Sequence, residues 1–344
     1  MRIKIHIAAI SLALLAGIAI WWQLHSRRAM VQVPQPVVVA SENVEVFSNP
    51  VPANLVKMIT VTSKPVTLPP PTIHLADSSW SAVQTLVNSQ IAFEQRLKAI
   101  DALPVSLTDD DWEALRKFLA TPDAMDGSQM GLAIKNRLMD VLCATDPLPP
   151  GLGDLFAKIY KNNKQEVVLR DYAVQHLAAY YEQMGPKPDG TKAQQQAKDI
   201  LWEAVNDSHN SIGGTALLAL NRLSQEFPQG FDQDKIAATA LRMAGNPIAC
   251  ELTHITAYQI CAQLGNQEAL PLVVKAAESG ESIPVKLSAI SAIGELGGPE
   301  QIPLLNNVLD GTQYWLRPAA QKSLDQITSR HNLVTGKNNR ISNP

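Results

Sequence analysis

From Ala76 onward, apolar residues recur at steps of three and four, and Pro, Gly, Asn and Asp punctuate the pattern at helix-length intervals. This periodicity predicts helices at 78–101, 109–120, 128–144, 151–163, 166–184, 192–206, 210–226, 232–245, 247–264, 266–279, 283–296, 299–310 and 313–330. No alternating run of strand type interrupts them. One helix start is explicit: Thr108 is placed to cap, and Asp109, Asp110 and Asp111 suit the positive end of a helix dipole. The tail from Leu333 to Pro344, rich in Asn, reads as disordered.

Upstream the pattern is different. Arg2 and Lys4 precede an apolar run from Ile7 to Trp22 whose one polar member is Ser11. Ile5 to Leu24 is twenty residues, about 30 Å as a helix, which matches the hydrocarbon thickness of a bilayer. Trp21 and Trp22 lie where interfacial aromatics belong, and Arg27 and Arg28 follow as a polar stop. Residues 1–30 therefore read as an uncleaved signal-anchor. The alternative is a removed signal peptide cut at the small-x-small triplet Gly17-Ile18-Ala19, but that cut falls inside the apolar run. Either route places the body outside the cytoplasm, periplasmic or at the cell surface, or secreted if cleaved. With two basic residues on each flank, charge alone does not fix the orientation, and the opposite topology keeps the body cytoplasmic.

Residues 31–75 hold eight prolines and four charged residues. Proline at that density removes helix donors and biases preceding residues to extended geometry, so this stretch reads as a semi-stiff linker. The resulting plan is an anchor at 1–30, a Pro/Val/Thr-rich linker at 31–75, a helical body at 76–331 and a tail at 332–344.

Within the body one helix of each pair superposes on the next. Val285, Ala289, Ile293 and Leu296 correspond to Leu316, Ala320, Leu324 and Ile327. Going backwards, Thr253, Ala257, Cys261 and Leu264 fit, then Ile212, Ala216, Leu220 and Leu223, then Leu169, Ala173, Leu177 and Tyr180. Ile134, Leu138 and Leu142 form a weaker set. The alanines at 173, 216, 257, 289 and 320 are spaced by 43, 41, 32 and 31 residues. A small residue midway along a helix lets its neighbour approach closely, while bulkier residues a turn away fill the groove. Such pairs bury both faces only by stacking, so the fold expected is an all-α solenoid.

Pro284-Val285-Lys286 to Ala289, Ile293-Gly294-Glu295-Leu296-Gly297 and Pro299-Glu300-Gln301-Ile302-Pro303-Leu304-Leu305 resemble a HEAT repeat, most of all the short variety named after the phycobilisome lyases. The resemblance is specific over about 247–330 and implies a right-handed solenoid. Asp310 and Arg317 resemble that family's Asp/Arg pair, which ties successive repeats. The family consists chiefly of protein-binding scaffolds, so the partner implied is another protein or peptide.

Charge narrows the field. Without the four N-terminal basic residues, 25 Lys and Arg remain against 32 Asp and Glu, a formal −7. A body that acidic makes a poor binder of nucleic-acid backbone. No phosphate-binding glycine loop, zinc-protease helix motif or nucleophile elbow is present, so no catalytic residue is assigned and no cofactor or metal is expected. The deoxyhypusine hydroxylases, similar in architecture, bind iron through His-Glu dipeptides, and none of the seven histidines here is followed by Glu. A lyase or chaperone-lyase acting on a cofactor-bearing protein is the alternative that the resemblance keeps open. Cys143, Cys250 and Cys261 read as small buried hydrophobes. The last two are expected on one helix, too far apart to bridge, while a bond from Cys143 to either stays open.

Two aromatic pairs mark a candidate partner-binding surface. Tyr172 and His176 are four apart, as are His254 and Tyr258, so each pair shares a helix face. The competing reading has both as hydrogen-bonded seam residues. Tyr314 and Trp315 read as a cap over the terminal repeat.

Overall fold

The computed structural model describes residues 81–122, 128–185 and 190–341, with side chains as far as Asn332. The anchor and linker expectations fall outside the described residues. Among the described residues no helix is long and apolar enough to cross a membrane.

The described chain is helical, without a β-strand. In chain order the helices fall into seven consecutive pairs. They are α1 (Ala82–Val87) with α2 (Phe93–Asp101), α3 (Asp109–Ala120) with α4 (Gln129–Cys143), α5 (Leu152–Lys161) with α6 (Val167–Gln183), and α7 (Gly190–Ala204) with α8 (Ser211–Glu226). There follow α9 (Gln233–Ala244) with α10 (Glu251–Gln263), α11 (Leu270–Glu278) with α12 (Ile283–Leu296), and α13 (Ile302–Asp310) with α14 (Arg317–Ile341).

Twelve of the predicted helices correspond to one observed helix each. The first does not: 78–101 divides at Asn88 into α1 and α2. Ser81 starts α1 with a capping box closed by Gln84. Asn88 ends it in an extended conformation, its side chain accepting from the Gln90 amide, and the Leu86 carbonyl so released accepts from Arg96 Nε at 2.8 Å. Two other boundaries move. Pro247–Ala249 form a turn, so Cys250 is the N-cap of α10 and lies outside the helix that holds Cys261. The last helix passes the expected end at 330 and runs to Ile341, with no proline between Pro318 and Ile341 to interrupt it. Thr108 caps α3 as its position suggested, accepting from the Asp111 amide at 3.1 Å.

The even-numbered helices form one unbroken row, each packed on the next from α2 to α14. The odd-numbered helices flank it, in contact with one another along α1, α3, α5 and α7. From α9 onward they pack chiefly on the even row. Bonds between equivalent positions, Thr253 to the Asn210 carbonyl, Ser288 to that of Ile255 and Ser323 to that of Ile290, show that neighbouring helices of the even row run parallel from α8 to α14.

The core follows that row. Ala173, Ala216, Ala257, Ala289 and Ala320 are each fully buried, and the bulkier residues of each set line the grooves between them. Closest approach is marked by glycine. A Cβ on Gly294 of α12 would lie 2.9 Å from the Ser323 Cα of α14, and one on Gly214 of α8 would lie 3.1 Å from the Thr253 Cα of α10. Serine side chains also bond across seams: Ser323 Oγ of α14 donates to the Ile290 carbonyl of α12 at 2.9 Å, and Ser288 Oγ of α12 to the Ile255 carbonyl of α10 at 3.1 Å. Near the amino end Arg96 of α2 and Lys135 of α4 are both buried, each 5.3 Å from the Phe118 ring centroid of α3.

Candidate interaction surface

The aromatic pairs singled out by sequence serve the seams. His176 is 3% exposed. Its Nε2 lies 2.9 Å from Asn136 Oδ1 and 3.7 Å from Asp140 Oδ1, and its ring rests on Phe156 with centroids 5.8 Å apart. Burial pushes its pKa down to about 4, so at neutral pH it is an uncharged strut between α4 and α6. Tyr172, four residues earlier, is half-buried against the core, and burial raises its phenol pKa. His254 and Tyr258 stack almost parallel, 5.9 Å apart, with His254 Nε2 against the Asn246 carbonyl at 2.9 Å and Tyr258 only 5% exposed. His176 and Tyr258 are thus withdrawn from any open groove. An aromatic residue at helix spacing looks the same in sequence whether it lies on the seam or on the free face, and the tilt of the neighbouring helix decides between them.

The Asp/Arg tie appears at a different repeat. Arg317 and Asp310 form no ion pair; Arg317 Nη2 donates to the Gly311 carbonyl at 3.0 Å. Arg170 occupies the same place in the register, one residue after Leu169 as Arg317 follows Leu316. Its Nη2 binds Asp207 Oδ2 at 3.0 Å and its Nε the Tyr160 carbonyl at 2.7 Å, joining the third pair to the fourth. The carboxylate comes from the following pair, and no further pair follows α14 among the described residues. The register held this signal, since Arg170 aligns with Arg317.

Around Asp207 the turns of successive pairs are laced together. Asn210 Nδ2 donates to Asp207 Oδ1 at 2.9 Å, Thr253 Oγ1 to the Asn210 carbonyl at 3.1 Å, and the Cys250 amide to the Ser208 carbonyl at 2.9 Å. Beside them Asp171 of α6 takes a hydrogen bond from Ser211 Oγ, while its Oδ1 is buried without a partner. Burial raises the Asp171 pKa against the bond from Ser211, and the Asp207 charge adds to the rise.

The even row has two unlike borders. From the middle to the carboxyl ends of its helices, residues form polar rungs from one helix to the next. Arg137 meets Asp101 at 3.1 Å, Arg222 meets Glu182 at 2.7 Å, Asn221 meets Gln263 at 3.0 Å and Gln326 meets Glu295 at 2.6 Å. The amino ends, at the turns within each pair, instead expose apolar side chains. Val167 and Val168 precede Leu169, Ile248 and Leu252 precede Thr253, and Ile283 precedes Val285. Tyr314 and Trp315 belong to this border too. They are 66% and 42% exposed and pack edge to face at 4.5 Å, so they do not cap the terminal repeat as expected.

A cleft of about 540 Å³ lies between α3 and α5, lined by Trp112, Arg116, Gly151, Asp154 and Lys158 among others. Trp112 Nε1 is committed to the Pro150 carbonyl at 3.1 Å. Among the described residues no three His, Cys, Asp or Glu side chains converge to hold a metal. The three cysteines are free, and burial pushes the Cys143 and Cys261 thiols up to about 12, away from thiolate chemistry.

Residues 249–325 match the family of HEAT repeats, spanning α10 to the middle of α14. The match lies inside the stretch, about 247–330, where the sequence resembles a HEAT repeat. Solved structures similar to the chain include an engineered protein, at 15% identity over 72% of this chain and 95% of that one, with a TM-score of 0.34. Another is human deoxyhypusine hydroxylase in complex with glycerol, at 16% identity over 72% and 95% of the two chains, with a TM-score of 0.30. No curated protein matches the chain.

Proposed function

We propose that this protein is a non-enzymatic HEAT-repeat scaffold that binds another protein along its even-helix row. The unbroken run of that row from α2 to α14 carries the reading. It offers a long surface of repeated, separately variable positions, which suits an extended partner better than a small substrate. The matched HEAT repeats support it. The spacings of 32 and 31 residues between Ala257, Ala289 and Ala320 support placing the last repeats in the short form resembling that of the phycobilisome lyases.

The second half of the proposal concerns address. Residues 5–24 tether the chain to a membrane, and the body works outside the cytoplasm at the end of the Pro-rich linker.

Photo-crosslinking in intact cells from exposed positions of the even row, such as Gln175 and Ser291, tests the scaffold reading. A discrete attached polypeptide is expected. Absence of any adduct at all positions overturns the reading, and a chromophore co-purifying with the protein favours the lyase alternative. Removing residues 1–30 tests the tether, since the body should then leave the membrane fraction; a truncated chain that still pellets with membranes refutes it.

A further inference from the structure

The apolar border carries more than a generic scaffold needs. The even helices run parallel, so the first turns of α10, α12 and α14 lie side by side. Leu252 is 57% exposed, Ile283 38%, Tyr314 66% and Trp315 42%, all one or two positions before the aligned residues Thr253, Val285 and Leu316. Ile248, 62% exposed, extends the line, and the segment Tyr314–Leu316 packs directly on α12. In the fourth pair the same two positions are Asn210 and Ser211, so the ridge belongs to the last three pairs. Contiguous exposure of large apolar side chains marks an interaction site. Three helices ~8–10 Å apart set a ridge ~20 Å long, the length of about four helical turns.

The charge beside the ridge is mainly acidic. Glu251, Glu278, Glu281 and Asp310 lie in or next to the three turns, against Lys286 and Arg317. None of the four carboxylates has an ion-pair partner among the described residues, unlike Asp101 and Glu182 at the opposite border. An apolar strip with uncompensated carboxylates complements a strip with ammonium or guanidinium groups. Two copies of this chain meeting edge to edge would set acid against acid, and anionic headgroups would be repelled in the same way.

We propose that the ridge formed by Leu252, Ile283, Tyr314 and Trp315 docks a basic amphipathic helix of a partner protein. This rests on the scaffold reading and names the chemistry of the partner.

The test uses the full chain in phosphatidylcholine nanodiscs, with empty discs as background. The probe is a fluorescein-labelled Leu/Lys amphipathic helix of about 14 residues, and its Leu/Glu counterpart is the control. The Leu/Lys helix should raise anisotropy saturably and lose affinity with added salt. Binding should weaken at least about fivefold both in Leu252→Ser/Trp315→Ser and in Glu251→Gln/Glu281→Gln. These positions are exposed, so circular dichroism should stay unchanged. Equal binding by wild type and variants, or by the Leu/Glu helix, overturns the proposal. So does concentration-dependent dimerisation that Trp315→Ser abolishes, which would assign the ridge to a second copy. Brominated-lipid quenching of tryptophan fluorescence that is lost in Trp315→Ser would assign the ridge to the membrane surface and overturn it too. If cellular crosslinking captures a partner while the Leu/Lys helix binds all variants alike, this inference fails and the scaffold reading stands.

Discussion

Gly294→Ala sets two opposing effects against each other at one seam. Alanine is favoured over glycine inside a helix by ~1 kcal/mol. The new methyl group, however, would lie 2.6 Å from Ser323 Oγ and 2.9 Å from the Ser323 Cα of α14. The second of these is backbone, so the contact is relieved only by moving a helix, and overpacking of this kind costs ~1–3 kcal/mol. The same movement strains the bond from Ser323 Oγ to the Ile290 carbonyl, a buried group whose loss costs a further ~1–3 kcal/mol. Sterics win, and the expected net loss is ~2 kcal/mol, confined to the seam between α12 and α14. In a stack coupled between neighbours, hydrogen exchange across 302–330 should rise by ~30-fold, with 152–226 unchanged. Gly280→Ala is the control: a Cβ there meets nothing within 4 Å, so exchange should not rise. A Gly294→Ala protein as protected as wild type refutes the close approach, and a uniform rise along the chain refutes neighbour-only coupling.

Ala289→Leu overpacks the fully buried centre of α12 and should cost ~1–3 kcal/mol, read as a lowered Tm. Arg170→Ala leaves Asp207 and the Tyr160 carbonyl short of a donor at a largely buried site and should cost ~1–3 kcal/mol by denaturant titration. Arg317→Ala, exposed and bound to one carbonyl, should change stability by less than ~0.5 kcal/mol. His176 titrates lower folded, at about 4, than unfolded near 6.5, so between those values the unfolded chain holds the extra proton and stability falls as pH falls. The window is worth up to ~3 kcal/mol, and His176→Gln should flatten the slope there by comparison with wild type. Thiol labelling of the folded chain at pH 8 should modify Cys250 readily, while Cys143 and Cys261 react only on unfolding.

The repeat was legible because it is written in residue size. Five alanines in register, each with bulkier residues a turn away, describe a close-packed row without any coordinates. Breaks carried by Pro or Gly were equally plain. The break at Asn88 was missed because it uses neither: an Asx turn and a distant guanidinium end α1, and an isolated Asn carries little signal. Arg96 and Lys135 look like solvent-facing charges on their helices, yet both are buried beside the Phe118 ring, which only the stacking of three helices creates. The surface was less legible than the core for the same reason. Helix spacing put His176 and Tyr258 on a face, but which face opens to solvent depends on the crossing of neighbouring helices. Tyr314 and Trp315, expected to cover the end of the stack, instead stand in line with Ile283 and Leu252, an alignment that appears once the helices are laid side by side.

Contact among the odd-numbered helices from α1 to α7, thinning beyond, gives the chain a gradient of stiffness. Where both rows touch, bending compresses one and stretches the other, and the molecule resists as a beam with two flanges. From α8 to α14 the flanking helices are tied more sparsely, as by Asn266 Nδ2 to the Ala237 carbonyl, and successive pairs are joined chiefly through the even row. The compliant half is the half that carries the exposed ridge. An occupant lying across α10, α12 and α14 would therefore act as a second flange, bracing successive pairs where the flanking row braces them least.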